Sequence, residues 1–370
     1  MSWISLNVNK ALELTFETPH MVIDLDQVKR NIGKIQTVAT KSGKDLRPHS
    51  KTHKIPFLSR LQIEAGSNGV CVQKVAEAEV MFNGGVKDIF LSNEILGTKF
   101  DRVASLIQKG CNIAVAVDNL QSVEEFSRSC AYFSVEGHVM IDVNVGMNRC
   151  GIDPSEFESL LSSVMNTSHI VMDGIMAYDG QINYPDPLKR RSEVMKEAQM
   201  IKPLIKAMKF HGLSDPKVSV GGTPTWDIWS DVDIASELQP GTYIYYDTHC
   251  MSMGLCSMDE IAIGVVATVT SEKSGERFVL DAGYKSVSLD QGVYPTVLDS
   301  DGNRYEVIGM SEEHTVVRSG DNSTRLGKKF IMLPYHSCTT TDLWEGTYAI
   351  SERSLPEYVI IQGRGKESKI

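Results

Sequence analysis

Short apolar runs alternate with longer amphipathic stretches from about residue 20 to residue 250. Eight of these runs have the length and composition of buried strands: 46–51, 68–73, 88–93, 112–117, 138–144, 174–179, 217–222 and 241–247. Strands that alternate regularly with helices predict parallel pairing through crossover connections. Eight such units fit a closed (β/α)8 barrel better than an open sheet, so we expect an α/β fold for residues 17–250.

The pattern changes after about residue 255, where β-type runs such as IAIGVVATV and EYVIIQG are separated by turn residues. No long helical pattern occurs there. The chain therefore predicts a second, all-β domain at residues 251–370. Residues 1–16 are expected to belong to this domain and to add a strand to it.

Charge and composition narrow the possible partners. The 370 residues carry a net charge of −10, which argues against nucleic acid and anionic membranes. No apolar run approaches the ~18 residues that a membrane helix needs, and the first residues lack a signal-peptide pattern. The seven cysteines are scattered without a CxxC motif, which is typical of a reduced, cytoplasmic compartment.

The stretch LRPHSKTHK, residues 46–54, is unusually basic for a strand. Because side chains alternate along a strand, Arg47, His49 and Lys51 would share one face and point into the barrel. Lys51 would then lie at the carboxyl end of its strand, where barrel enzymes have their active sites. A Schiff base would relieve the cost of burying this amine and make it catalytic. A surface strand with solvated basic residues explains the segment equally well.

A glycine-rich turn follows the seventh predicted strand at Gly221, Gly222 and Thr223. The N–H groups of such a turn can bind phosphate, although Gly-Gly-Thr is more often a plain turn. Its position favours phosphate, because barrel phosphate sites use the loops after strands seven and eight, where Gly241 and Thr242 could add donors. A lysine and a phosphate site on neighbouring strands predict pyridoxal 5'-phosphate (PLP), a phosphorylated aldehyde, as the cofactor.

His336 and Cys338 are two positions apart in PYHSC, so on an extended segment they would point the same way. A histidine nitrogen and a cysteine thiolate are ligands that Zn²⁺ prefers. Taken alone, this spacing is more often explained by a buried cysteine near a structural histidine.

Nine motifs in a fixed order are far more specific than any one of these signals. They are TPHMVIDLDQVKRNI, LRPHSKTHK, VGMNRCG, AYDG, GGTPT, ELQPGTY, DAGYKSVSLD, SEEH and PYHSC. Over about residues 17 to 362 the chain resembles the D-threonine aldolase / D-serine dehydratase group of fold-type III PLP enzymes. Members of that group have an alanine-racemase-like N-terminal barrel.

The resemblance implies roles for the cofactor residues. Lys51, rather than Lys54, is the lysine that binds PLP covalently, Arg149 lies near the phenolic oxygen of the cofactor, and Tyr178 lines its pocket. The residues implied to hold the phosphate are Gly221, Gly222, Thr223, Gly241 and Thr242. Gln181 is a departure, because relatives often carry histidine at that position.

The resemblance also implies that His336 and Cys338 hold a divalent metal beside the cofactor. The cysteine favours Zn²⁺, with Mn²⁺ or Mg²⁺ as alternatives. His-x-Cys is the pattern implied for the dehydratases of the group, and His-x-Asp is the pattern implied for the aldolases.

The implied function is that of a PLP- and metal-dependent lyase, a homodimer, acting on small β-hydroxy D-amino acids. The preferred reaction is elimination of the D-serine dehydratase type, which yields a 2-oxo acid and ammonia. The alternative is D-threonine aldolase-type cleavage to glycine and an aldehyde. A racemase needs no metal and a non-catalytic PLP-binding protein resembles a lone barrel, so both fit the sequence less well.

Overall fold

The computed structural model describes residues 6–366, with side chains described from Lys10 onward. In this part of the chain there are eighteen strands, β1 to β18: His20–Asp24, Asp45–Leu46, Val70–Val72, Asp88–Leu91, Asn112–Val117, Gly137–Asp142, Ile170–Ala177, Lys217–Val220, Glu237–Leu238, Ile263–Lys273, Arg277–Leu280, Thr296–Leu298, Arg304–Tyr305, Val307–Met310, Thr315–Arg318, Lys329–Leu333, Gly346–Ser351 and Ser354–Ile360. The helices of the same residues are α1 to α11: Leu6–Glu13, Leu25–Lys41, Pro56–Glu64, Val75–Asn83, Lys99–Gln108, Leu120–Phe133, Phe157–Met165, Pro187–Phe210, Trp226–Ser230, Thr248–Ser252 and Ser337–Asp342. Short 3-10 turns occur at Ser50–Thr52, Thr242–Ile244 and Met258–Glu260. No helix of residues 6–366 is both long enough and apolar enough to cross a membrane.

Strands β2 to β9 form a parallel sheet in the barrel unit, which we define as residues 33–241. The strand order along the sheet is β2-β9-β8-β7-β6-β5-β4-β3, so β2 and β3 are its two ends. A parallel bridge between His49, just beyond β2, and Cys71 in β3 joins these ends and closes the barrel. The expected α/β fold with a (β/α)8 barrel is thereby confirmed.

The interior of the barrel is filled with side chains. A buried cluster draws one residue from each of five adjacent strands, β3 to β7: Cys71, Phe90, Ala116, Met140 and Met176. These strands read as nearly continuous apolar runs because both faces of a parallel strand are covered.

Arg47 is buried in the same barrel and accounts for part of the basic character of the first strand. Its Nε donates to Glu237 Oε2 at 2.7 Å, and its Nη1 donates to Asp88 Oδ1. A buried charge is tolerated when it is paired in this way. Arg47 is therefore a structural residue of the barrel.

Two predicted barrel strands are corrected by the structure. The eighth strand is β9, Glu237–Leu238, and the predicted run 241–247 instead begins with a 3-10 turn. That run is apolar because it is buried, and Tyr246 has a φ of 48°, which an extended strand cannot contain. The first strand is also shorter than the predicted 46–51, since it ends at Leu46 and Pro48 cannot donate a ladder hydrogen bond.

The strand unit, residues 6–32 with 242–365, is built on a ten-stranded sheet. Its main path is β13-β12-β16-β10-β1-β17-β18, with β11 paired to β10 and β15, and β14 paired to β15. Strand β1 lies inside this path, antiparallel to β10 and parallel to β17. The expectation of a separate, mostly β C-terminal domain is confirmed.

Residues 6–16, the described part of the N-terminal segment 1–16, do not contain the expected strand. Residues 6–13 form helix α1, residues 1–5 lie outside the described part, and the strand that joins the sheet is β1 at His20–Asp24. The sequence TPHMVID therefore belongs to the strand unit through its pairing with β10 and β17.

Helix α8 carries a buried carboxyl group at Glu197. Glu197 Oε1 accepts a hydrogen bond from Gln181 Nε2 at 2.6 Å. Burial, together with the charges of Asp179 and Glu193, raises the pKa of Glu197 to about 9. The folded chain therefore keeps Glu197 protonated at neutral pH, whereas the unfolded chain releases that proton.

Replacing Glu197 should reduce the loss of folding stability that accompanies rising pH. Because the folded pKa lies above the unfolded one, stability is lost as pH rises from the unfolded value towards about 9. We expect Glu197→Gln to gain stability over the native chain between about pH 5 and pH 8, by on the order of 1–3 kcal/mol. Thermal unfolding at both pH values measures this gain, with Glu158→Gln, an exposed carboxylate on α7, as control. An equal effect of Glu197→Gln at both pH values would contradict the assignment.

Candidate functional site

Lys51 lies in the 3-10 turn that follows β2, at the carboxyl end of the barrel strands. Its backbone N–H donates to Nδ1 of His49 at 3.2 Å, which holds the turn. Its Nζ lies 5.5 Å from the ring centroid of Tyr178, the residue that follows β7. Within residues 6–366 no carboxylate pairs with this amine. A half-buried amine without an acid partner is available for covalent chemistry.

Arg149 approaches the same aromatic ring from the loop after β6. Its guanidinium carbon lies 5.3 Å from the centroid of Tyr178. Two cations, Lys51 and Arg149, therefore lie around one phenol ring. This arrangement attracts an anionic, planar ligand.

The glycine turn after β8 also lies against Tyr178. A Cβ added to Gly222 would lie 3.3 Å from Tyr178 Cε2, and Gly221 has a φ of 80° that favours glycine. The Gly222 N–H donates to the hydroxyl of Thr225 at 3.1 Å. The Gly222 N–H, which could otherwise donate to a phosphate oxygen, is therefore bonded to the Thr225 hydroxyl.

Gly241 connects this turn to the lysine turn. Its N–H donates to Thr223 Oγ1 at 3.2 Å, and a Cβ at Gly241 would lie 3.2 Å from both His49 Cβ and Thr52 Oγ1. The structure thus brings together most of the predicted cofactor residues at the carboxyl end of the barrel: Lys51, Arg149, Tyr178, Gly221, Gly222, Thr223 and Gly241.

His49 is a site residue to which sequence reasoning gave no role beyond its strand face. Since Nδ1 accepts from Lys51, the ring hydrogen is on Nε2, which lies 3.1 Å from Gln73 Oε1 and 3.2 Å from Ser92 Oγ. Burial and the charge of Lys51 hold the pKa of His49 well below its usual range. His49 is therefore a neutral ring that fixes the lysine turn. Its position two residues before Lys51 was the available signal.

An acidic pair near Arg149 was also missed. Burial and the charge of Glu94 raise the pKa of Asp142, the last residue of β6, to about 8. The charge on Glu94 that raises this pKa stays on the hydrogen-bonded pair, so Asp142 and Glu94 together keep a negative charge near Arg149.

Gln181, the departure from the family pattern, forms its hydrogen bonds with residues other than Lys51. Its Nε2 donates to Glu197 and, at 3.3 Å, to the carbonyl oxygen of Val145. It therefore supports the loop that begins at Val145 and carries Arg149. An open cavity of about 890 Å³ beside this loop includes Arg149 but neither Lys51 nor Tyr178.

His336 and Cys338 lie in the strand unit at the start of α11, with His336 as the residue before the first helical turn. The helix start is held by Asp247, whose Oδ2 accepts from the N–H and the hydroxyl of Ser337 at 3.0 and 3.1 Å. The extended segment expected here ends at His336, yet the side chains of His336 and Cys338 still hydrogen-bond to each other. Thr242, predicted to bind phosphate, lies with its Oγ1 3.8 Å from Cys338 Sγ.

The contacts of His336 and Asp290 favour the charged form of both side chains. Burial lowers the pKa of His336, but hydrogen bonds and charges from Cys338 and Asp290 outweigh burial and raise it to about 9. Burial likewise opposes ionisation of Asp290, but hydrogen bonds from His336, Thr339 and Ser288 lower its pKa to about 2.

The residues present fit both implied groups. The barrel offers an unpaired amine, a second cation and a glycine turn with an αL backbone, which are the elements a phosphorylated aldehyde requires. His336 and Cys338 offer one nitrogen and one sulfur donor within hydrogen-bonding reach, a pair suited to Zn²⁺. Among residues 6–366 no group of three or more His, Cys, Asp or Glu side chains could hold a metal. An ion on this pair would thus keep positions open for water or substrate.

Comparison with known families gives two matches along the chain. Residues 23–249 match the family described as alanine racemase, N-terminal domain. Residues 262–350 match the putative serine dehydratase domain. A curated relative, the 3-hydroxy-D-aspartate aldolase of Paracoccus denitrificans strain Pd 1222, is 30% identical over 365 residues, covering 96% of this chain and 94% of the relative.

Solved structures show the same similarity. D-threonine aldolase from Filomicrobium marinum superposes with a TM-score of 0.87 at 29% identity, covering 94% of this chain and 96% of that one. D-threo-3-hydroxyaspartate dehydratase from Delftia sp. HT23 has a TM-score of 0.87 at 26% identity, with 94% and 97% covered. Two mutants of that dehydratase replace a histidine and a cysteine two positions apart, and the cysteine mutant is in a metal-free form.

Two matched lysine variants test the geometry of the barrel site. Arginine cannot form a Schiff base, so we expect Lys51→Arg to lose the visible absorbance band of the PLP-loaded protein. Lys54→Arg should retain that band, because Lys54 pairs with buried Glu77 at 3.4 Å instead of facing Tyr178. Absorbance spectra of both variants with added PLP provide the measurement. A band that survives in Lys51→Arg would exclude Lys51 as the cofactor lysine.

Proposed function

Because the chain belongs to the alanine racemase N-terminal domain family and continues into a serine dehydratase domain, we propose that it is a PLP- and metal-dependent lyase. Its proposed substrates are small β-hydroxy D-amino acids. The proposed reaction is elimination of the D-serine dehydratase type, which converts the substrate to a 2-oxo acid and ammonia.

The observation that carries this proposal is the pair formed by His336 and Cys338. A nitrogen and a sulfur donor lie within hydrogen-bonding reach of each other, at the start of a helix held by Asp247. A racemase would have no use for such a pair, because proton exchange at Cα needs only bases. A lyase that removes a β-hydroxyl gains directly from a Lewis acid.

The barrel residues supply the amine and the anion contacts. When bound, PLP offers an electrophile to the substrate amine and accepts the electrons left by α-proton removal. Lys51 would hold the cofactor and then take the proton from Cα at its Nζ. Arg149 would favour an ionised cofactor oxygen, and the turn at Gly221 to Thr223 would hold the phosphate. His49, a neutral ring, keeps the Lys51 turn in place without adding another positive charge.

The strand unit supplies the metal ligands. His336 and Cys338 would hold a divalent cation, for which the thiolate favours Zn²⁺ over Mn²⁺ or Mg²⁺. A bound cation supplies a Lewis acid for the β-hydroxyl, which then leaves as water. Water consumed in hydrolysis of the product enamine balances the water lost, so the net products are the 2-oxo acid and ammonia.

The cysteine at position 338 favours dehydratase over aldolase chemistry. A carboxylate at this position would be a better ligand for Mn²⁺ or Mg²⁺ than the thiolate is. The relative with a histidine and a cysteine at the same spacing is a dehydratase. Retro-aldol cleavage to glycine and an aldehyde stays as the second candidate, because relatives of similar identity are aldolases.

The remaining parts of the proposal concern assembly and compartment. We propose a cytoplasmic homodimer that acts on small molecules and binds neither nucleic acid nor membrane. The net charge of −10 and the scattering of the seven cysteines without a CxxC motif support this assignment.

Product analysis distinguishes the two lyase reactions. The purified chain is incubated with PLP and Zn²⁺ and with D-serine, D-threonine or a 3-hydroxy-D-aspartate. We expect equal amounts of 2-oxo acid and ammonia, because the Lewis acid activates the hydroxyl as a leaving group. L-serine serves as the stereochemical control. Glycine and acetaldehyde from D-threonine, without 2-oxobutyrate, would establish the aldolase instead.

Exchanging the thiol for a carboxylate tests the metal assignment. Cys338→Asp should bind Zn²⁺ more weakly, because a softer donor is replaced by a harder one. Zinc content after dialysis against a weak chelator is the measurement, with Cys256→Ser, a partly exposed thiol elsewhere, as control. Unchanged zinc content in Cys338→Asp would remove Cys338 from the metal site.

A further inference from the structure

Asp290 is the carboxylate that contacts His336. Its Oδ2 lies 2.6 Å from Nδ1 of the histidine. Its Oδ1 accepts hydrogen bonds from the hydroxyls of Thr339 and Ser288, each at 2.9 Å. Both carboxylate oxygens therefore have defined partners, and the position of the carboxylate is fixed independently of the histidine.

The contact determines which nitrogen of His336 can bind a metal. An ionised carboxylate only accepts hydrogen bonds, so Nδ1 carries the hydrogen and donates it to Asp290. A metal-binding imidazole is neutral, which leaves its lone pair on Nε2. We propose that Asp290 is a positioning residue that commits Nε2 of His336 to the divalent metal. This inference rests on the proposed function, which puts that metal on His336 and Cys338.

The geometry argues against Asp290 as a third ligand. An ion bound at Nδ1 would have to displace the hydrogen that joins the ring to Oδ2. The other oxygen would have to leave the hydroxyls of Ser288 and Thr339. A carboxylate behind a metal-binding histidine fixes the ring and increases its basicity, and its loss typically lowers metal affinity by about 10–100-fold.

The test measures Zn²⁺ affinity of the full-length, PLP-loaded chain by competition with a chelator. Asp290→Asn retains an acceptor for Nδ1–H but loses the charge, whereas Asp290→Ala loses both. We expect the affinity to fall by about 10-fold in Asp290→Asn and by up to about 100-fold in Asp290→Ala. Thr339→Val, which removes only one of the bonds to Asp290, should have a smaller effect than either.

A matched control comes from a second Asp–His pair in the barrel unit. Asp173 Oδ1 lies 2.8 Å from Nδ1 of His138, a geometry similar to that of Asp290 and His336. Asp173→Asn should leave Zn²⁺ affinity unchanged. Thermal unfolding of every variant without metal separates a local effect from loss of the fold.

Cobalt absorption provides a readout that a purely structural role would not change. In the Co²⁺-loaded chain the thiolate-to-cobalt band reports Cys338, and the d–d bands report the ligand geometry. We expect the thiolate band to persist in Asp290→Ala while the d–d bands shift. Affinity and spectrum equal to those of the native chain in Asp290→Ala would overturn the inference while leaving the metal site intact.

Two further outcomes would also decide the matter. If Asp290→Asn lost the ion as completely as His336→Ala, Asp290 would be a ligand and the positioning role would be wrong. If the native chain bound no Zn²⁺ or Co²⁺, and Cys338→Ala had the same metal content as the native chain, both the metal of the proposed function and this inference would fail.

Discussion

The constraint on which the barrel site depends is that the Lys51 amine is partly buried and, among the side chains that the structure describes, has no carboxylate to neutralise it. Folding a cation into such a place is costly unless the surroundings are arranged for it. The structure limits repulsion by keeping its neighbour His49 neutral: this ring accepts a hydrogen bond from the Lys51 N–H, and burial together with the Lys51 charge lowers its pKa. Lys51 and Arg149, both within 5.5 Å of the Tyr178 ring centroid, supply the positive charge that an anionic cofactor such as PLP requires.

The carboxylates of adjacent strands explain why Lys51 differs from the other basic residue buried in the barrel. Arg47, four residues before Lys51, is fully compensated by Glu237 and Asp88 and takes no part in the site. Of two basic residues on one short segment, Arg47 is paired with carboxylates and Lys51 lies at the candidate site. The difference lies in the acids that the adjacent strands present to each of them, which a single segment of sequence does not contain.

The barrel could be predicted from sequence where the strands are continuous apolar runs. Strand β5 has the predicted bounds, 112–117, because both of its faces are covered and its composition follows directly. The run 241–247 has the same composition for another reason, burial in irregular structure, and pattern alone cannot separate the two cases. The position of β1 in the strand unit was invisible because it is set by pairing with strands more than 200 residues away. Lys51 and the glycine turn could be predicted as site residues because motif and strand position agreed, and their roles stay predictions. His49, Asp142 and Asp290 were missed because their roles depend on which groups face them.

The central place of β1 in the strand unit has a consequence for biogenesis. Strand β1 acquires its first neighbour only after β10 is synthesised and its second only after β17, so this sheet is completed late in translation. The barrel, by contrast, is one uninterrupted segment whose neighbouring strands are mostly consecutive, and it can begin to fold as it is translated. During that interval the apolar segment HMVID lacks its strand partners, and an unpaired apolar strand can pair with other chains.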